Sequence, residues 1–376
     1  MTHQRLIVCL LAAVVVRLAF VFIGFPYLRD RWQLHEDGDG YGVIAQTIRE
    51  GHYDDVTRGP VYPMLVAGCG TLGTKVLQAV LDAFTCLLVY LLANRRGWAA
   101  WLWALYPFAI WRVAFINKEV VLAFLLAGYA CVQVFAFRGT KNGPWVLAGV
   151  LLGLVNLCKP MFLPWPLVIA AMVWLNRKSL ARVGVLVIAM LAVVVPWTVR
   201  NWHVSGELLP VATEQGGITT FVGNYQPADG LWEGAGKIRW MAAVDGVKVQ
   251  NAGASVAQLD RVFYRAAIRE IAANPAKAAA LVVRKCGRFW FLSAKRREEA
   301  ASVVIQGLYL ALAAVGLWRL RPWNGEVVIM VTLIGYVMLV HAVSYADLRF
   351  SLPVMPLVCA FAGYSASRMD ARRSAA

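Results

Sequence analysis

Charge is scarce in this chain. Only 15% of its 376 residues are Asp, Glu, Lys or Arg, and the acids are fewer still, 21 against 37 basic residues. A soluble domain of this length carries more charge and shorter apolar runs, so the shortage argues against an ordinary soluble enzyme. Histidine is sparse too, five in all, and none of the seven cysteines forms a CxxC pair or stands at metal-ligand spacing from a histidine. Cys9, Cys86, Cys131 and Cys359 fall inside apolar runs, where free buried thiols are the default. There is no internal repeat and no low-complexity linker.

What fills the chain is hydrophobic sequence, 60% of it. A bilayer-spanning helix needs about 20 mostly apolar residues, and windows such as 5–25, 119–137, 184–198, 302–318 and 326–344 meet that need. The reading is an all-α polytopic membrane protein. Its N-terminus, basic and then apolar with no clean small-residue cleavage site, reads as a retained first span. The net charge of +16 does not call for nucleic acid, because the basic residues sit in short loops and in one hydrophilic segment near a membrane surface. Placing the basic loops at 94–97, 138–143, 176–182 and 319–325 in the cytoplasm gives a topology of about ten spans. The expected spans are 5–25, 75–93, 98–113, 119–137, 145–158, 161–175, 183–198, 302–318, 326–344 and 351–367. Three regions follow: a transmembrane module over 1–198 with an outer loop at 26–60, an extracytoplasmic α+β segment over 199–300, and C-terminal spans over 301–376. Short strands are expected early in the middle region and a broken helix pair later, with Pro275 at the break. The localisation that follows is a multi-pass plasma or inner membrane, with the unusual polar residues facing the periplasm or cell exterior.

Those polar residues concentrate in "HEDGDGYGVIAQTIREGHYDDVTRGPVYP", residues 35–63, which holds six carboxylates: Glu36, Asp37, Asp39, Glu50, Asp54 and Asp55. Tyr41, Ile44, Ala45 and Ile48 are spaced as one face of an amphipathic helix, which Gly51 can end. Asp37 and Asp39 stand just before its first turn, where one aspartate suffices as a cap; the second leaves a carboxylate for chemistry. Arg17 lies mid-span, where an unpaired cation is expensive, so a partner inside the bundle is expected. His203 and His341 have no partner at metal-ligand spacing, so no metal site is assigned; His35 and His52 flank the acidic loop, and a carboxylate/histidine ion site there is only a minor alternative. Tryptophans near span ends read as interfacial belts.

The stretch "DGDGYGVIAQTIREG" followed by "RGPVYPMLVAG" resembles the first outer loop of GT-C fold glycosyltransferases, the superfamily of bacterial relatives of dolichyl-phosphate-mannose protein mannosyltransferases and of the lipid A aminoarabinose transferase. Further segments resemble the family in the same order along the chain: "NKEVVLAFLL", "GLVNLCKPMFLPWPL", "VPWTVRNWHVSGELLPVATEQGGITTFVGN", "ANPAKAAALVVRKCGRFW" and "DLRFSLPVMPLV". Lys159 stands where the family usually has Arg. The resemblance implies a GT-C-like fold and transfer of a sugar from a polyprenyl-phosphate carrier, the donor substrate, to a glycan, lipid or protein acceptor outside the cytoplasm; no cofactor is assigned, and a divalent metal is unsupported. It puts Glu119 in the role of the acidic residue opening the fourth span. Tyr41 and Tyr62 become loop residues near the substrate.

The chemistry of such a transfer suits these residue types. A base near the acceptor hydroxyl is needed, with Asp37 the first candidate and Asp39 the second. The lipid phosphate needs fixed positive charge, for which Lys159, Arg349, Arg58 and Arg200 are candidates at outer span ends. Two other readings compete: a transporter or flippase for a lipid-linked intermediate, and a non-catalytic envelope-assembly subunit. Acids gathered at one face, with only Arg17 central, favour surface chemistry over transport.

Overall fold

The computed structural model describes residues 3–227, 230, 236–292 and 299–365. Among these the chain folds into seventeen α-helices with no strand. Helix α1 (His3–Ala19) runs through one π-helical turn (Phe20–Gly24) into α2 (Phe25–Trp32). The outer-loop helix α3 (Tyr41–Arg49) follows, then the long α4 (Val61–Leu92), irregular at Gly70. Two short helices, α5 (Gly97–Ala104) and α6 (Pro107–Arg112), precede α7 (Glu119–Arg138) and α8 (Gly143–Cys158). A 3₁₀ turn (Pro160–Phe162) leads into α9 (Trp165–Leu175), and α10 (Ala181–Ser205) completes this part. The hydrophilic segment holds α11 (Gly216–Asn224), α12 (Lys237–Gln250), α13 (Val256–Ala273) and α14 (Pro275–Phe291). Then come α15 (Glu299–Arg319), α16 (Gly325–Val343), a 3₁₀ turn (Leu348–Val354) and α17 (Met355–Ala362).

Among the described residues, six helical stretches are long and apolar enough to cross a membrane: Gln4–Trp32, Val61–Leu92, Glu119–Arg138, Ala181–Ser205, Ala300–Arg319 and Gly325–Val343. The protein is therefore read as a multi-pass membrane α protein. The count of ten spans is not carried. The stretch expected at 98–113 is broken between α5 and α6, with Pro107 opening the second piece. Those expected at 145–158, 161–175 and 351–367 become shorter apolar helices. Prolines at 160, 164, 166, 353 and 356 begin or interrupt the last two, because proline offers no amide hydrogen and clashes with the preceding turn.

The basic loops meet at one end of the bundle. Arg138 pairs with Glu326 and reaches Asn94 Oδ1 at 3.2 Å, while Asn94 donates to Tyr364 Oη at 2.7 Å. Lys178 donates to the Phe137 carbonyl, and Arg182 to that of Gly139 at 3.2 Å. Within the bundle, α8 and α10 approach closely at Gly149, where a Cβ would lie 2.3 Å from the Leu186 carbonyl oxygen. Such small-residue contacts let apolar helices pack by van der Waals contact. Arg17 has the expected partner: it is fully buried against Asp82 of α4 and donates to the Ala104 and Trp103 carbonyls at 2.9 and 3.2 Å.

The strands expected early in the hydrophilic segment are absent among the described residues. "GGITTFVGN" forms α11 instead. Its β-branched residues are overruled by packing, since Gly217 lets α11 lie on α13 with a Cβ-equivalent position only 2.0 Å from the Asp260 carbonyl oxygen, and Phe221 meets Phe263 at 5.7 Å. The helix pair around Pro275 forms as expected, with Ser255 and Gln258 making a capping box for α13 and Asn274 capping α14. Lys285 fastens this layer to the end of α16, donating to Asn224 Oδ1 and to the Val343 and Ser344 carbonyls at 3.0, 3.2 and 3.0 Å.

Candidate active site

At the end of the bundle opposite the basic loops, five distant segments converge. The outer loop, the turn before α7, the end of α8 and the start of the hydrophilic segment are tied by main-chain contacts, and the turn after α16 joins them through the Arg349 side chain. The Ile116 amide donates to Glu36 O at 2.7 Å and that of Thr213 to Val56 O at 3.1 Å. Gly59 presses on the end of α8 so closely that a Cβ there would lie 2.3 Å from Leu157 O.

Asp37 is the local anchor of α3. Its two oxygens accept the Tyr41 and Gly42 amides at 2.9 and 2.6 Å. These are amides that the first helical turn cannot satisfy itself. No cation pairs with Asp37 among the described residues. Asp39 differs: Arg349 Nη1 donates to both its oxygens, at 3.2 and 3.1 Å. The burial of Asp39 pushes its acidity down, but Arg349, Arg58 and Lys118 outweigh that and hold the carboxyl below its usual range. Arg349 also lies 3.9 Å from Glu119 Oε1; the Glu119 side chain is only 3% exposed, and its Oε2 has no hydrogen-bond partner among the described residues.

Tyr41 and Tyr62 pack edge to face, 4.7 Å apart, under this group. Both are buried; Tyr62 Oη donates to Gln78 at 2.8 Å, so they form the floor, with the Arg58 guanidinium 5.9 Å over the Tyr41 ring. Lys118 pairs with Glu214, whose other oxygen accepts the Gly59 amide at 2.8 Å. Burial works against the Glu214 charge, yet Lys118 and Arg58 keep its carboxyl below the ordinary range.

Lys159 has no carboxylate partner among the described residues. Its ammonium lies 3.2 Å from His341 Nε2 and 4.4 Å over the Phe350 ring. The Arg349 guanidinium covers the same ring at 4.9 Å. Burial, with Lys118 nearby, pushes Lys159 down to about 8. On its other side Arg349 lines a narrow cleft with Tyr106, Phe108, Trp111, Arg112 and Leu352.

The structure thus brings Asp37, Asp39, Glu119, Arg349, Arg58, Tyr41, Tyr62 and Lys159 to one end. Arg200 is engaged elsewhere: it donates to Asp55 O and Asn201 Oδ1 at 3.0 and 2.9 Å and lies between Tyr53 and Trp197, each at 4.6 Å. Sequence reasoning missed Lys118, Glu214, Arg112 and the pairing of His341. A lysine beside Glu119 was the one visible hint. Among the described residues no cluster of three or more His, Cys, Asp or Glu is placed to hold a metal ion. No protein-family model matches the chain, and no curated protein matches it.

Proposed function

We propose that this end of the bundle transfers a sugar from a polyprenyl-phosphate carrier to an acceptor hydroxyl at the membrane face. The observation that carries the reading is a set of four carboxylates (Asp37, Asp39, Glu119, Glu214) and four cations (Arg58, Lys118, Lys159, Arg349), drawn from distant segments, at one end of a membrane bundle, in which Lys159 has no carboxylate partner among the described residues. The ordered resemblance to GT-C glycosyltransferases supports the same reading.

Asp37, which has no cation partner among the described residues, takes the proton as the acceptor oxygen bonds to the sugar's anomeric carbon. The bond from that carbon to the phosphate oxygen breaks, and the polyprenyl phosphate leaves with the electron pair. Lys159 and Arg349 hold the negative phosphate of the donor, in the bound state and as it leaves alike, at the edge of a low-dielectric region where fixed cations act strongly. Asp39 aims Arg349.

The test separates the two aspartates. Asp37→Asn keeps one of the two capping bonds and loses the other, since its amide nitrogen cannot accept, so thermal unfolding is measured beside the kinetics. It lowers kcat by roughly 10²–10⁴, the usual cost of removing a general base. Asp39→Asn instead raises the KM for the donor, because Arg349 loses its anchor. Full activity in both variants and in the double variant removes the loop as the source of the base.

A further inference from the structure

Lys159 holds its place through a histidine on a distant helix. His341 lies in the last turn of α16 and is buried, while Lys159 follows α8. A charged ammonium only donates hydrogen bonds. His341 Nε2, 3.2 Å away, must therefore accept, which puts the ring proton on Nδ1. Nδ1 lies 3.1 Å from the Tyr345 carbonyl oxygen, an acceptor, so both ends of the ring agree on one neutral tautomer. The ring cannot turn away easily. It stacks on Phe350 at 4.4 Å and 8°, with Phe289 at 5.9 Å and 27°. The same Phe350 ring carries the Lys159 ammonium and the Arg349 guanidinium. An acceptor without charge orients a cation and leaves that charge whole, which a carboxylate in the same place would not do.

We propose that His341 is a positioning residue: as a neutral, Nδ1-protonated imidazole it aims the Lys159 ammonium, leaving two N–H donors and a full positive charge for a phosphate oxygen of the lipid donor. The donor part rests on the glycosyl-transfer reading above.

The experiment uses the full chain in lipid vesicles and two readouts. One is the KM for a polyprenyl-phosphate sugar. The other needs no activity: the pH midpoint at which Lys159 becomes acylated by an amine reagent, followed by mass spectrometry. In His341→Gln the amide oxygen reaches the place of Nε2 and goes on accepting. In His341→Asn the side chain reaches the Tyr345 carbonyl but offers Lys159 nothing. His341→Gln is expected to keep both readouts near wild type. His341→Asn should raise the donor KM roughly tenfold with kcat little changed, and lower the acylation midpoint by about one pH unit, as expected for losing a hydrogen bond to a charged group. An unchanged midpoint in His341→Asn overturns the proposal, as does a donor KM equal in the Gln and Asn variants. A midpoint that moves in a protein transferring no sugar supports the contact and overturns the functional reading instead.

Discussion

Lys159 is a cation whose nearest companions are a ring face and an imidazole. Its pH behaviour follows from that setting. Burial, with Lys118 beside it, pushes its pKa from 10.5 down to about 8. As pH rises through about 8 the ammonium is lost, so the KM for the lipid donor should climb. Stability moves the other way. Between about 8 and 10.5 the unfolded chain binds the proton that the folded chain has released, so this group's contribution to stability rises with pH. Donor kinetics and thermal unfolding measured over the same range should therefore diverge. A KM that is flat across that range, or one that climbs only where the protein unfolds, counts against a role for this ammonium. Lys159→Arg should flatten the profile, since guanidinium keeps its charge throughout. The role of Asp37 in opening α3 was legible from its place before an amphipathic pattern. The partners of Lys159 and Arg349 were not, since they depend on side chains about 180 and 310 residues away in sequence.

Between helices, Arg17 of α1 pairs with Asp82 of α4, both fully buried. Removing one partner strands a charge among apolar helices, a loss of about 3–5 kcal/mol. Arg17→Met or Asp82→Leu alone should sharply lower the unfolding temperature in detergent. The double replacement should recover much of that loss, because a well-packed apolar pair is often no worse than a buried ion pair. A double variant no more stable than the worse single one would mean that the carbonyl contacts of Arg17, not its charge, hold α1 in place. That a partner existed could be argued from one arginine in an apolar run; its identity could not. The helix pair α13 and α14 was readable from Asn274 and Pro275, whose local chemistry stops and starts helices. Helix α11 was misread because its β-branched residues favour strands locally, while glycine-mediated packing on α13 decided the outcome.

For the molecule as a whole, the sidedness drawn from basic loops divides the same residues that the fold divides. Loops at 94–97, 138–143 and 176–182 share one end, and the carboxylate–cation group occupies the other. In a background without native cysteines, an impermeant thiol reagent added outside should label cysteine placed at 55 or 230 and leave 141 untouched. Labelling at 141 but not at 230 would put the candidate site in the cytoplasm, where the proposed acceptor is not found.

The backbone contact between Gly59 and Leu157 has a use beyond packing. It is a hard stop between the loop carrying the aspartates and the end of α8 carrying Lys159. Alanine, then valine, at position 59 would act as wedges of rising thickness, prising the acid half of the site from the basic half while every charge stays in the protein. Spacing and charge, which most substitutions here alter together, become separately adjustable at that one carbon.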